Sequence, residues 1–187
     1  MVQCLISYGA NLDGPFGPPR QTIYKALENL RSKGFNILEL SKSYCSESFP
    51  NKNDPKYLNG CLKIEVDLEP TEVLRQLKLI ERLMGRLPGE RWGARICDLD
   101  LLSVDSLIYP NIQTFNYWRN LCSKRQEKEK PNELLLPHPR IQDRAFVLRP
   151  LLDIAPNWKH PVLHLTVEEM FEHISKEKKR AVNVILA

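Results

Sequence analysis

The chain has 187 residues, 42% of them hydrophobic and 27% charged, and its 27 Lys+Arg against 23 Asp+Glu leave a formal charge of +4. This length and balance describe one globular domain with a core of its own, which excludes wholesale disorder and any need for disulfide or metal staples. The small basic surplus points to neither a nucleic acid nor a membrane as partner.

Val2 to Tyr8 is a short, mostly apolar run closed by Gly9 and reads as a buried strand. A turn-rich stretch through Gly14, Pro15, Gly17, Pro18 and Pro19 follows. Ile23, Ala26, Leu27 and Leu30 then share one helical face, with the proline pair at its start and Gly34 as its stop. Phe35 to Tyr44 alternates as a second strand, and Tyr57 to Asp67 reads as a third. In the third, Leu58, Leu62, Ile64 and Val66 take one face, while Tyr57, Asn59, Lys63 and Glu65 take the other. Pro70 opens a second helix with Val73, Leu74, Leu77, Ile80 and Met84 in register. Gly85 to Gly93 is a loop and Ile96 to Val104 a fourth strand. Strand–helix–strand–strand–helix–strand is the ferredoxin-like order. It predicts an α+β fold with one antiparallel sheet, helices on one face, a site on the other and a C-terminal extension.

Residues 1–187 are expected to form a single domain with a surface insertion at about 109–133. There the periodicity is weak, and Lys124-Arg125-Gln126-Glu127-Lys128-Glu129-Lys130 interleaves both signs. Val167 to Ile174 suggests a C-terminal helix, and Lys176 to Arg180 a solvated end. The five cysteines, Cys4, Cys45, Cys61, Cys97 and Cys122, include no C-x-x-C pair and mostly sit in apolar stretches. They read as free thiols in a reducing compartment. With no signal-like N-terminus and no apolar run near the roughly 18 residues of a membrane span, the expectation is a cytoplasmic protein.

The strongest local feature is Arg91-Trp92-Gly93-Ala94-Arg95-Ile96-Cys97-Asp98-Leu99-Asp100. On a strand, Asp98 and Asp100 point the same way with Cα atoms roughly 7 Å apart. Two neighbouring carboxylates repel, and either a hard divalent cation such as Mg²⁺ or paired arginines would compensate them. Arg82, Arg86, Arg91 and Arg95 lie close by. Guanidinium groups beside an acidic metal site suit phosphoryl transfer, where negative charge spreads over oxygens. Arg82, inside the helix, is equally a surface residue. His138, bracketed by Pro137 and Pro139, has a constrained backbone and can donate to a phosphate. His160 and His164 are four apart, but Pro161 between them makes a metal pair a poor reading.

No G-x-x-x-x-G-K-[ST] loop is present: Gly9 and Gly14 have the spacing, but Pro15-Phe16 follows. There is no kinase signature set and no G-x-S-x-G elbow. Two rival classes share the scaffold or the aspartates. An RNA-binding module would need exposed stacking aromatics on the sheet, and a Mg²⁺-dependent nucleotidyl transferase would release pyrophosphate.

The decapeptide resembles the R-W-x-x-R-x-x-D-x-D signature of the 6-hydroxymethyl-7,8-dihydropterin pyrophosphokinase family. The likeness continues through Gly9-Ala10-Asn11-Leu12, Tyr57-Leu58-Asn59, Pro137-His138-Pro139-Arg140, Arg144-Ala145-Phe146 and Pro150 to Pro156. It implies an ATP-dependent diphosphotransferase of folate biosynthesis that moves the β,γ-pyrophosphoryl unit of ATP to the pterin hydroxymethyl oxygen and releases AMP. By the same resemblance, Asp98 and Asp100 would hold two Mg²⁺ ions, and Arg86 and Arg95 would act catalytically on the phosphates. His138 and Arg144 would contact ATP. Tyr57, Asn59, Phe146, Trp92 and Phe49 would enclose the pterin. Its implied partners are these two small substrates, with no nucleic acid or membrane, and a monomer is expected. Leu87-Pro88-Gly89 departs from members that carry extra basic residues in that loop.

Overall fold

A computed structural model describes residues 1–48, 53–86, 94–122, 125, 129 and 131–185. Phe49 and Trp92 lie outside them. Strand β1 (Val2–Ala10) runs through the sheet between β4 (Tyr57–Val66) and β5 (Asp98–Val104), antiparallel to both. Cys4 through Ala10 are all buried, which is why this run is mostly apolar rather than alternating. The other edge of β4 pairs with β2 (Asn36–Leu40) and then with β3 (Tyr44–Ser46). A short last strand, β6 (Val182–Val184), joins β3. The described residues thus form a six-stranded antiparallel sheet in the ferredoxin-like arrangement.

The expected single strand from Phe35 to Tyr44 is two strands. A register shift between Ile37 and Glu39 bends it, and Ser41 then spends its backbone N–H and its hydroxyl on the carbonyl and N–H of Cys61. Helix α1 (Pro19–Ser32) and helix α2 (Pro70–Leu83) each begin on proline, whose fixed φ suits the first turn. Both lay their apolar faces on one side of the sheet, where Ile23, Leu27, Leu30, Val73, Leu77 and Ile80 pack with Ile6, Leu62, Ile64 and Leu99.

The opposite face is divided. One part is covered by α4 (Ala145–Ile154), whose Val147, Leu148 and Leu151 close over Leu5, Cys61 and Leu102 in a second core. Helix α5 (Val167–Glu172), held at its start by a Thr166–Glu169 capping box, and the short α6 (Lys176–Arg180) complete that layer. Charged residues do fill α6, but the chain then returns as β6 to extend the sheet. Three residues are too few for periodicity to reveal a strand. The remainder of the face carries Tyr57, Asn59, Asp98 and Asp100.

The 109–133 segment is anchored as well as solvated. Its ends meet where Tyr109 and Leu136 exchange backbone hydrogen bonds, 2.9 and 3.0 Å. Within it, α3 (Ile112–Arg119) is capped by Asn111 and buries Phe115 against His160, ring centroids 5.6 Å apart. His160 Nδ1 accepts the N–H groups of Val162 and Leu163, so this nitrogen fastens a turn. All five cysteines are free thiols.

Candidate active site

One row of the sheet assembles the site. Tyr44 opposes Asn59, Asn59 opposes Gly9, and Gly9 opposes Asp98, so side chains from β3, β4 and β5 line up on one face. Gly9 stands between Asn59 and Asp98 with no side chain. A Cβ there would lie 3.4 Å from Asn59 Oδ1 and 3.6 Å from the Tyr57 ring. The glycine therefore leaves a shallow floor flanked by an amide, a phenol and a carboxylate. Asn59 is buried and donates through Nδ2 to Ser46 Oγ at 2.9 Å, which holds its carbonyl oxygen toward that floor. Burial pushes the Tyr57 phenol above its usual range, against the opposing pull of Arg95.

Asp98 and Asp100 alternate with Leu99 and Leu101, which belong to the helix-side core. Each oxygen of Asp98 meets a guanidinium: Oδ1 lies 2.7 Å from Arg86 Nη1, and Oδ2 accepts from Arg95 Nη1. Asp100 is more loosely held, with Lys78 Nζ and Arg144 Nη1 each 3.8 Å from one of its oxygens. The carboxylate repulsion inferred from spacing is thus offset by four cations from three segments. Arg82 is exposed on α2, away from the cluster.

His138 reaches the same place through its backbone, its N–H donating to Leu102 carbonyl on β5 at 2.7 Å. Its Nδ1 accepts the Arg140 N–H at 3.1 Å, which assigns the ring proton to Nε2. Burial, reinforced by Arg144 and Arg140, holds the imidazole well below its ordinary range and keeps it neutral. Arg144 precedes α4, its guanidinium 5.8 Å from the ring of the half-exposed Phe146.

Three residues that sequence reasoning assigned no role shape this geometry. Asn11 Oδ1 accepts the Arg95 N–H at 2.6 Å, while its Nδ2 donates to Ser48 Oγ and the Pro55 carbonyl. Lys78 and Glu81 reach from α2 to the backbone of Leu99. Asn11 lies within Gly9-Ala10-Asn11-Leu12; Lys78 and Glu81 have only an i,i+3 spacing on α2, which carries no signal of its own.

Two carboxylates on adjacent outward positions supply hard oxygen ligands. Among the described residues, no group of three or more His, Cys, Asp and Glu could hold a metal ion. The pair therefore suits a cation that completes its shell with water and substrate oxygens, as Mg²⁺ does, and not one that needs a closed protein cage.

A ferredoxin-like sheet with an acidic pair ringed by arginines, beside a flat polar floor, defines a domain built to handle phosphate groups. Residues 5–156 match the family model described as 7,8-dihydro-6-hydroxymethylpterin-pyrophosphokinase (HPPK). The 2-amino-4-hydroxy-6-hydroxymethyldihydropteridine pyrophosphokinase of Synechocystis sp. is 34% identical over 164 residues, covering 87% of this chain and 73% of that protein. The Aquifex aeolicus protein of the same name is 31% identical over 169 residues, 90% of each chain. Folic acid synthesis protein fol1 of Pneumocystis carinii is 33% identical over 169 residues, and the match spans only 20% of its length. Among solved structures, a Plasmodium falciparum HPPK-DHPS crystallised with pterin and p-hydroxybenzoate aligns over the whole chain with a TM-score of 0.70 at 16% identity, covering 48% of that chain. This chain belongs to the HPPK family.

Proposed function

We propose that this protein transfers the β,γ-pyrophosphoryl unit of ATP to the hydroxymethyl oxygen of 6-hydroxymethyl-7,8-dihydropterin. The products are the pterin diphosphate and AMP, in folate biosynthesis. The observation that supports it best is the single sheet row that sets Asn59 and the Gly9 floor beside Asp98. Ring recognition and phosphate chemistry then share one face of the sheet.

In this reading the pterin lies over Gly9, its edge read by Asn59 Oδ1 and its face flanked by Tyr57 and Phe146. Asp98 and Asp100 would hold two Mg²⁺ ions. When bound, these would neutralise phosphate oxygens and polarise the transferred group. Arg86, Arg95 and Arg144 turn their guanidiniums from carboxylate to phosphate, since each anion presents a pair of oxygens that accept two N–H donors. His138, neutral with its proton on Nε2, donates one further hydrogen bond to a phosphate oxygen. Among the described residues no strong base stands beside the floor, and none is needed where positioning of an alcohol supplies much of the rate. Phe49 and Trp92, outside the described residues, keep the pterin-side role the resemblance implies.

The reading takes the protein to act as a monomer, and its free thiols are in keeping with the cytoplasm. Incubation with ATP and Mg²⁺, with and without the hydroxymethylpterin, tests the reading. AMP formed only with the pterin is the expected result. Pyrophosphate release in its place, or no pterin dependence, overturns it.

A further inference from the structure

Glu81 is 2% exposed, yet carries a carboxylate. Burying such a group costs several kcal/mol unless partners surround it. Its Oε1 lies 2.5 Å from Arg86 Nη1 in an ion pair, and accepts from the Leu99 backbone N–H at 2.7 Å and from Lys78 Nζ at 2.8 Å. Lys78 Nζ in turn donates to the Leu99 carbonyl at 3.1 Å. Strand β5 is the outer strand of the sheet, so Leu99 has no neighbouring strand on that side. Side chains from α2 stand in for one, and this ties α2 to β5 between the two aspartates.

Arg86 is shared between Glu81 and Asp98. A guanidinium held by Asp98 alone would be set loose whenever that carboxylate took another partner. With Glu81 behind it, Arg86 keeps one fixed ion pair. Lys78, 3.8 Å from Asp100, is held by Glu81 in the same way.

We propose that Glu81 is a positioning residue for the transfer reaction: it holds Arg86 and Lys78 at the rim of the Asp98–Asp100 pair and so presents both cations to an anionic substrate. The proposal rests on the pyrophosphokinase reading for the identity of that substrate. The anchoring geometry does not depend on it.

The test is a cycle of Glu81→Gln, Arg86→Ala and the double variant, read as kcat, KM for each substrate and thermal midpoint. Gln keeps an acceptor for the Leu99 N–H and removes the charge. A drop of about tenfold or more in kcat is expected for Glu81→Gln, with pterin KM nearly unchanged, and little further loss once Arg86 is absent. Glu81→Asp, which retains the charge, should recover part of the rate. Losses that multiply in the double variant, or an unchanged kcat in Glu81→Gln, overturn the proposal. A wild-type protein that forms no AMP with the pterin contradicts the substrate assignment alone. The same cycle is then read calorimetrically on ATP binding with Mg²⁺, where non-additivity supports the anchoring role and additivity overturns it.

Discussion

Asn11 and Arg95 are bound to each other twice: Asn11 Oδ1 accepts the Arg95 N–H at 2.6 Å, and the Arg95 carbonyl accepts the Asn11 N–H at 2.9 Å. The end of β1 thereby fixes the residue that approaches Asp98. Asn11→Ala leaves the part-buried Arg95 N–H without its acceptor and removes one of two donors to the Pro55 carbonyl, so a stability loss of about 1–3 kcal/mol is expected in denaturant titration. Turnover should fall further than stability explains, because Arg95 loses one of its two ties to Asn11. Arg95→Ala should lower kcat more than ATP affinity; weakened binding at an unchanged rate would contradict a role in the transition state.

Asp98→Ala and Asp100→Ala are each expected to abolish Mg²⁺-dependent AMP formation while circular dichroism shows an intact fold. Both side chains point away from the core, so neither change opens a cavity. Near-normal turnover in either variant would remove that aspartate from the metal assignment.

Gly9→Val tests the floor. The first added atom meets Asn59 and Tyr57 at ordinary contact distances, so the fold should accept it. The larger side chain fills the space where a flat ring would lie. Pterin affinity, followed by fluorescence titration, should fall about tenfold or more, a loss on the scale of a few kcal/mol of ring burial. ATP affinity should hold, and equal losses for both ligands would argue against a pterin seat at Gly9.

Acid should destabilise the protein through its histidines. Burial, helped by Arg119 and His164, lowers His160 from 6.5 to about 4. Between those values the unfolded chain binds the proton and the folded one does not, so stability falls as pH drops through that window. His138, also lowered by burial, acts with the same sign. The histidines should therefore pull the thermal midpoint down from about pH 6.5 toward about pH 4, opposed by Glu81, whose carboxyl burial raises from 4.5 to about 7 and which favours the folded state as it protonates. His160→Asn keeps an acceptor for the Val162 and Leu163 N–H groups but does not titrate, and should flatten the decline. An unaltered slope would place the proton uptake elsewhere.

Some of this architecture is written in local sequence. Apolar spacing marks α1 and α2, and alternation along Tyr57–Val66 assigns Asn59 to the face away from the helix-side core. The spacing of Asp98 and Asp100 sets them side by side, because strand geometry repeats every two residues whatever surrounds it. The ferredoxin-like order follows from the same periodicities. Helix α4 escaped such reading, since Pro150 interrupts it and it buries most of its surface, leaving little polar contrast along the chain.

Which cation meets which carboxylate, the clasp of Asn11 on Arg95 and the anchoring of Arg86 by Glu81 join positions far apart along the chain. So does the cover that α4 lays over Leu5, Cys61 and Leu102. No local period encodes such pairings, because they arise only when the sheet registers align and burial forces each charged group to find a partner. The sequence by itself determined the strand–helix–strand–strand–helix–strand frame, the acidic pair and the family. The tertiary structure decided how the cations are distributed around that pair and what holds them there.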